Sequence, residues 1–218
     1  MPFLSENYHQ IRKLLDEKNV SLVAVSKFKS SDEIREAYEA GQYDFGENYV
    51  QELLDKQQQL PADIRWHFIG HLQSNKVKYI APFIYLIQSV DSEKLLQEIN
   101  KQGEKAGRKI ACLLQVHIAQ EETKYGFDAD ELERIDADNY PFVELRGLMG
   151  MATLTDDSDQ IRSEFEKLRH LHNLFRIQNP QAHMLSMGMS GDYDIAVEQG
   201  SNMVRLGSLI FGERPAAE

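Results

Sequence analysis

The sequence predicts an α/β chain that closes into a single (β/α)8 barrel of the TIM type, and three observations predict it. Short apolar or β-branched runs alternate with longer amphipathic stretches along the chain. Eight such runs can be counted: LVAVSK, YDFGEN, WHFIGH, IYLIQSV, ACLLQVHI, ELRGLMGMA, MLSMGMS and MVRLGSLIFG. Strands joined through helices run parallel, and eight such units are the number that closes a barrel. The alternative is an open doubly wound sheet, but no GxGxxG follows the first run and eight units in succession favour closure.

The helices carry their own signals. One is expected over Ser5 to Leu15, ahead of the first run, where it can stand in for the helix missing after the last. SSDEIREAYEAG opens on serines and stops at Gly41, and SEKLLQEINKQGEKAG repeats the pattern. DQIRSEFEKLRHLHNLF sets Ile161, Phe165, Leu168, Leu171 and Leu174 along one face, and Asp156, Asp157 and Asp159 before or at its start read as capping carboxylates. With 218 residues, 42% of them hydrophobic, and no low-complexity segment, one core and one domain over residues 1–218 are expected.

Charge and composition narrow the function. A net charge of -11 and a pI near 5.1 disfavour nucleic acid and anionic membranes, which are bound through clustered Lys and Arg. The lone Cys112 lies in the apolar run ACLLQV and is expected to be an inert core thiol. The start MPFLSENYHQ lacks the layout of a signal peptide and no apolar run is long enough to span a bilayer, so a cytoplasmic protein is expected.

A barrel places its chemistry at the carboxyl ends of its strands. There the runs end on Lys27, Asn48, His71, the stretch Ser89 to Asp91, His117, the stretch Gly150 to Ala152, Ser190, and Gly207 with Ser208. Lys27 shares strand parity with Val25 and Val23, so it points inward if they do. An ammonium there loses hydration, which favours the neutral amine that attacks carbonyls. The competing reading is a lysine that snorkels or pairs with a carboxylate such as Glu47. Ser190-Gly191-Asp192 and Gly207-Ser208 follow the seventh and eighth runs, where barrels commonly bind phosphate, and Arg205 has the inward parity of Gly207. Lysine, phosphate loops and arginine together describe a site for a phosphorylated aldehyde. The histidines give no metal site: His67 and His71 would lie roughly 13 Å apart on one strand. His67 reads as a satisfied core residue, and SNKVKY with Lys76 and Lys78 as a solvated helix start.

AVSK, FGENYVQE, WHFIGHLQSNK, LLQVHIAQEETKYGF, GLMGMA and LSMGMSGDYDIAVEQGSNMVRLGSLIFG, in this order and over nearly the whole chain, resemble the pyridoxal phosphate homeostasis protein family. The resemblance implies a fold type III barrel like the N-terminal domain of alanine racemase, with pyridoxal 5'-phosphate (PLP) held as an internal aldimine. By position, Lys27 matches the Schiff-base lysine, Ser190, Gly207 and Ser208 the phosphate ligands, Arg205 the residue facing the pyridine nitrogen, and Asn48 a pocket residue beside the ring. His117 departs from the family pattern, which has asparagine there, and leaves the polar lining near the fifth strand open.

Three functions are weighed. The first is a PLP carrier that regulates the free cofactor without dedicated substrate turnover, with PLP-requiring apo-enzymes as recipients. The second is a PLP-dependent racemase or decarboxylase, and the third a class I aldolase using Lys27 on a sugar phosphate. Racemases and decarboxylases of this fold add a C-terminal β domain with a second acid/base tyrosine, which this sequence does not show, so the carrier is expected. The resemblance suggests a monomer.

Overall fold

The computed structural model describes residues 3–119 and 125–213, so the QEETK stretch lies outside the described residues. Eight parallel strands close a barrel in sequence order: β1 (Ser21–Val25), β2 (Asp44–Glu47), β3 (Arg65–Phe68), β4 (Leu86–Val90), β5 (Ile110–Gln115), β6 (Val143–Met149), β7 (Met184–Ser186) and β8 (Met203–Leu206). Closure is made by β8 on β1, with Arg205 opposite Val23, and rules out the open sheet. Each strand is shorter than the run that predicted it. Lys27, Asn48, His71, His117 and Ser190 therefore sit one to four residues beyond their strands, in the loops at the carboxyl-terminal mouth.

The helices are α1 (Ser5–Glu17), α2 (Ser31–Glu39), α3 (Val50–Gln59), α4 (Val77–Ile80), α5 (Glu93–Ala106), α6 (Ala129–Glu133), α7 (Ser158–Gln178), α8 (Tyr193–Glu198) and α9 (Ser208–Phe211). Their ends follow the sequence signals. Ser30 and Glu33 form a reciprocal capping box on α2, and Gly107 closes α5 in the left-handed conformation. Asp157 caps α7 by accepting from the N–H groups of Asp159 and Gln160. After β8 there is the single turn α9 rather than no helix, and α1 packs against it, with Leu4 N–H donating to Ile210 O at 2.8 Å.

Strand alternation divides the core in two. Leu22, Ala24, Phe45, Trp66, Phe68, Cys112, Leu114, Val204 and Leu206 face the helices in the larger cluster. Val23, Leu86, Ala111, Leu113, Met149 and Met203 fill the lumen. Burial pushes the Cys112 thiol far above its ordinary pKa, which makes it inert, as expected. Among the described residues no helix is long and apolar enough to cross a membrane.

Candidate functional site

Since Val23 faces the lumen, the parity argument places Lys27 at the mouth, and the structure does so. Val25, Lys27, Lys29, Ser190, Gly191, Arg205, Gly207 and Ser208, with Leu154, Met189 and Gly212, line one cleft of about 350 Å³. That volume is in the range of small-ligand sites. Five of the six residues singled out from the sequence thus meet in one place. The sixth, Asn48, lines neighbouring depressions with Ile69, Gly70, His71, Asp91, Gln115, Tyr125 and Met151 on one side and Tyr49, Lys76 and Tyr79 on the other. Its Oδ1 is buried and has no hydrogen-bond partner among the described residues.

The loops after β7 and β8 are tied to one another. Ser190 Oγ accepts from Gly207 N–H at 3.3 Å, and Arg205 N–H donates to Gly188 O at 3.0 Å. Gly188 has φ +99°, and a Cβ there would come within 2.6 Å of Ala196 Cβ, so this bend in the mouth requires glycine.

Arg205 is 4% exposed. Its Nη1 donates to Ser186 Oγ at 2.6 Å and its Nη2 to Gly150 O at 3.0 Å. Burial lowers its pKa to about 10, partly countered by the charge of Asp192, and the guanidinium stays protonated at neutral pH.

The turn that carries Lys27 is gripped on both sides. Ser26 O accepts from Lys56 Nζ at 2.7 Å, and Ser26 Oγ donates to Glu47 Oε1 at 2.6 Å. Phe28, at φ +64°, donates its N–H to Glu52 Oε1 at 2.5 Å. Lys56 Nζ closes the cluster on Glu47 at 2.8 Å and Glu52 at 2.6 Å. Glu47 makes no hydrogen bond to Lys27: its Oε1 is held by Lys56 and Ser26, and its buried Oε2 has no partner among the described residues. Burial raises the Glu47 pKa, against the pull of Lys56 and Ser26. Lys29, the other lysine of the cleft, binds Phe211 O at 2.8 Å and Glu33 at 3.3 Å, so its role is structural.

His67 is fully buried and bonded on both ring nitrogens, as a satisfied core histidine should be. His71 lies outside β3 and pairs with Asp91 at 3.0 Å on the surface. His117 follows β5 and donates its N–H to Phe127 O at 3.1 Å, away from the Lys27 cleft. Sequence reasoning missed Lys56, Glu52, Ser186 and Gln88. The latter two carried a signal, since each is a polar residue at a lumen-facing position of an apolar run.

The barrel belongs to a known class. The sequence model of the alanine racemase N-terminal domain matches residues 3–215. The chain is 39% identical over 212 residues to the pyridoxal phosphate homeostasis protein of Schizosaccharomyces pombe, covering 94% of this chain and 89% of that one. It is 41% identical over 210 residues to the human protein of that name, covering 88% and 76%. The chain belongs to the pyridoxal phosphate homeostasis protein family. PipY of Synechococcus elongatus, solved with PLP bound, superposes with TM-score 0.87 at 36% identity, over 95% of this chain and 99% of that one. Alanine racemase of Clostridium difficile shares the fold at TM-score 0.74 and 16% identity, over 96% of this chain and 56% of that one.

Proposed function

We propose that this protein binds PLP in the Lys27 cleft and takes part in intracellular PLP homeostasis, holding the cofactor without dedicated substrate turnover. The observation that carries the reading is the convergence of Lys27, Ser190, Gly207, Ser208 and Arg205 on one cleft. The donor set suits the ligand. Lys27 supplies the amine that holds the aldehyde carbon covalently, and Ser190, Gly207 and Ser208 supply hydroxyl and N–H donors for the phosphate. Asn48 lies outside that lining, and its buried Oδ1, which has no partner among the described residues, offers an acceptor to a donor on the ligand only if the ligand reaches past the Lys27 cleft. PipY, which is similar over nearly its whole length, was solved with PLP bound, and that supports the same assignment here.

PLP supplies an electron sink for carbanion chemistry when bound. Arg205 limits it. A charged guanidinium has donors and no acceptor, so a pyridine nitrogen facing it must accept and remain unprotonated. The protein is thereby suited to retaining the cofactor rather than turning over a substrate with it, and the family resemblance supports a cytoplasmic monomer that releases it to apo-enzymes that require it.

Borohydride reduction of the PLP-loaded protein followed by peptide mapping tests the covalent site. The label is expected on Lys27; a label confined to Lys29 or Lys76 would falsify the assignment. Alanine racemisation by the loaded protein is expected to be negligible. Turnover at about 1–10³ per second, typical of enzymes, would replace the carrier with a PLP-dependent racemase.

A further inference from the structure

The two hydrogen bonds of Arg205 begin a longer path. Ser186 Oγ donates to Gln88 Oε1 at 2.7 Å. Gln88 Nε2 lies 2.9 Å from His67 Nδ1, and His67 Nε2 lies 3.0 Å from Asp44 Oδ1. Asp44 is held in turn by Arg65, whose Nε is 2.7 Å from Oδ1. Ser186, Gln88 and His67 are fully buried, whereas the Arg65 side chain is 46% exposed. The path therefore crosses the lumen from the mouth to the amino-terminal rim, at which β2 and β3 begin.

The path has one direction. A guanidinium can only donate, so Ser186 Oγ accepts from it and has its own proton to give to Gln88 Oε1. That orientation turns the Gln88 amide N–H toward His67, whose Nδ1 must then accept. The imidazole proton is left on Nε2 and goes to Asp44, which can only accept. Every link donates away from the mouth, and the ionised carboxylate at the far end polarises the series. A lumen filled with aliphatic side chains would be cheaper than this polar path, since buried polar groups cost stability wherever a partner is lost.

We infer that Gln88 and His67 are positioning residues for the cofactor site, acting through Ser186 on Arg205, with Asp44 as the anchor that sets the direction. This rests on the PLP reading of the cleft. The relay keeps Ser186 oriented as an acceptor for Nη1, and Gly150 O takes Nη2. Two of the five guanidinium N–H groups are thereby engaged, and the plane of the group is set before any ligand arrives. The ligand then meets a donor already oriented, which lowers the cost of ordering on binding.

The experiment has one arm without cofactor and one with it. In the ligand-free protein, long-range ¹H–¹⁵N correlation of the His67 ring is expected to show a pyridine-type Nδ1 and a protonated Nε2. Gln88→Glu removes the donor facing Nδ1 and should give a ring protonated at both nitrogens. A wild-type ring protonated at Nδ1 overturns the relay. In the second arm, His67→Leu breaks the direction, whereas His67→Gln can both accept from Gln88 and donate to Asp44. His67→Leu should bind PLP about tenfold more weakly, the loss of one hydrogen bond to a charged group, with a shifted visible absorption maximum. His67→Gln should restore both. Equal affinity and equal spectra for wild type, His67→Leu and His67→Gln overturn the positioning role. Failure of the wild type to bind PLP instead overturns the functional reading, and the ligand-free arm still decides the direction of the relay.

Discussion

Two buried polar clusters flank the barrel wall at the site, and they solve different problems. The outer one, Glu47, Lys56 and Glu52, lies between the wall and α3 and grips the backbone of Ser26 and Phe28 with full charges. The inner one runs from Arg205 to Asp44 through neutral links in the lumen. The outer cluster fixes a loop, which needs strong bonds because a loop has no ladder to hold it. The inner cluster orients a side chain on a strand whose backbone is already fixed, so neutral links suffice. Charge is spent where the backbone is irregular.

The largest break should come from the outer cluster. Lys56→Met leaves Glu47 buried without its cation, and removing one partner of a buried pair typically costs about 3–5 kcal/mol. Chemical denaturation checks this. Replacing Lys56 and Glu47 together by apolar residues should recover much of that loss, while PLP retention stays impaired because the Lys27 turn keeps only its bond to Glu52 and has lost both bonds to Ser26.

The loops after β7 and β8 come next. Ser190→Ala should weaken PLP by about 1.5–3 kcal/mol, the value of a hydrogen bond to a charged acceptor, and weaken unphosphorylated pyridoxal much less. Titration of the two ligands against both proteins decides it; equal losses would remove Ser190 from the phosphate site.

Acid should separate the clusters by sign. Burial opposes the charge on Asp44, but hydrogen bonds from Arg65 and His67 outweigh it and lower its pKa from 3.8 to about 2. A depressed carboxylate contributes stability that is present above its unfolded value and is lost as pH falls through the folded one. Asp44 should therefore contribute about 2 kcal/mol that disappears between pH 4 and pH 2. Glu47 is shifted upward, so its contribution is present at low pH and lost as pH rises through its folded value. Asp44→Asn should flatten the acid limb of the stability profile, and Glu47→Gln should relieve the decline on the rising side. Matching profiles for the two variants would show that the clusters do not differ in this way.

The smallest effect belongs to Phe28. Its left-handed backbone costs about 1–2 kcal/mol, and glycine removes that strain but enlarges the unfolded ensemble by a comparable amount. Phe28→Gly should move the melting temperature by no more than a few degrees. A large loss would mean that the contact of its ring with Tyr49, at 5.3 Å between centroids, carries the turn.

The strands were legible as short apolar runs set between amphipathic stretches; alternation is interrupted by register shifts in β4 and between β5 and β6, but it holds in β1 and β8, where the inward positions of Lys27 and Arg205 followed from counting in twos from Val23 and Gly207. The strand limits were not legible: LVAVSK looks continuous, yet hydrogen bonding to both neighbours ends near Val25 because Phe28 turns the chain. Lys56 could not be placed, since a lysine on an amphipathic helix is usually a solvated one and only the docking of α3 on β2 buries it to 5% exposure. Asn48 was assigned to the ring by family position, and the fold sets it among β3 and β4 loop residues beside the cleft rather than in its lining.

The pairing of β8 with β1 has a consequence in time. Lys27 is made early in synthesis and Arg205 late, about 180 residues apart in sequence order, yet they line the same cleft because the last strand docks beside the first. Contacts of such long sequence separation form slowly. On a ribosome-bound chain Lys27 is thus displayed before Arg205 and the loops after β7 and β8 exist to line the cleft with it. Capacity to retain the cofactor arises only when the final strand is in place, so retention reports a finished barrel.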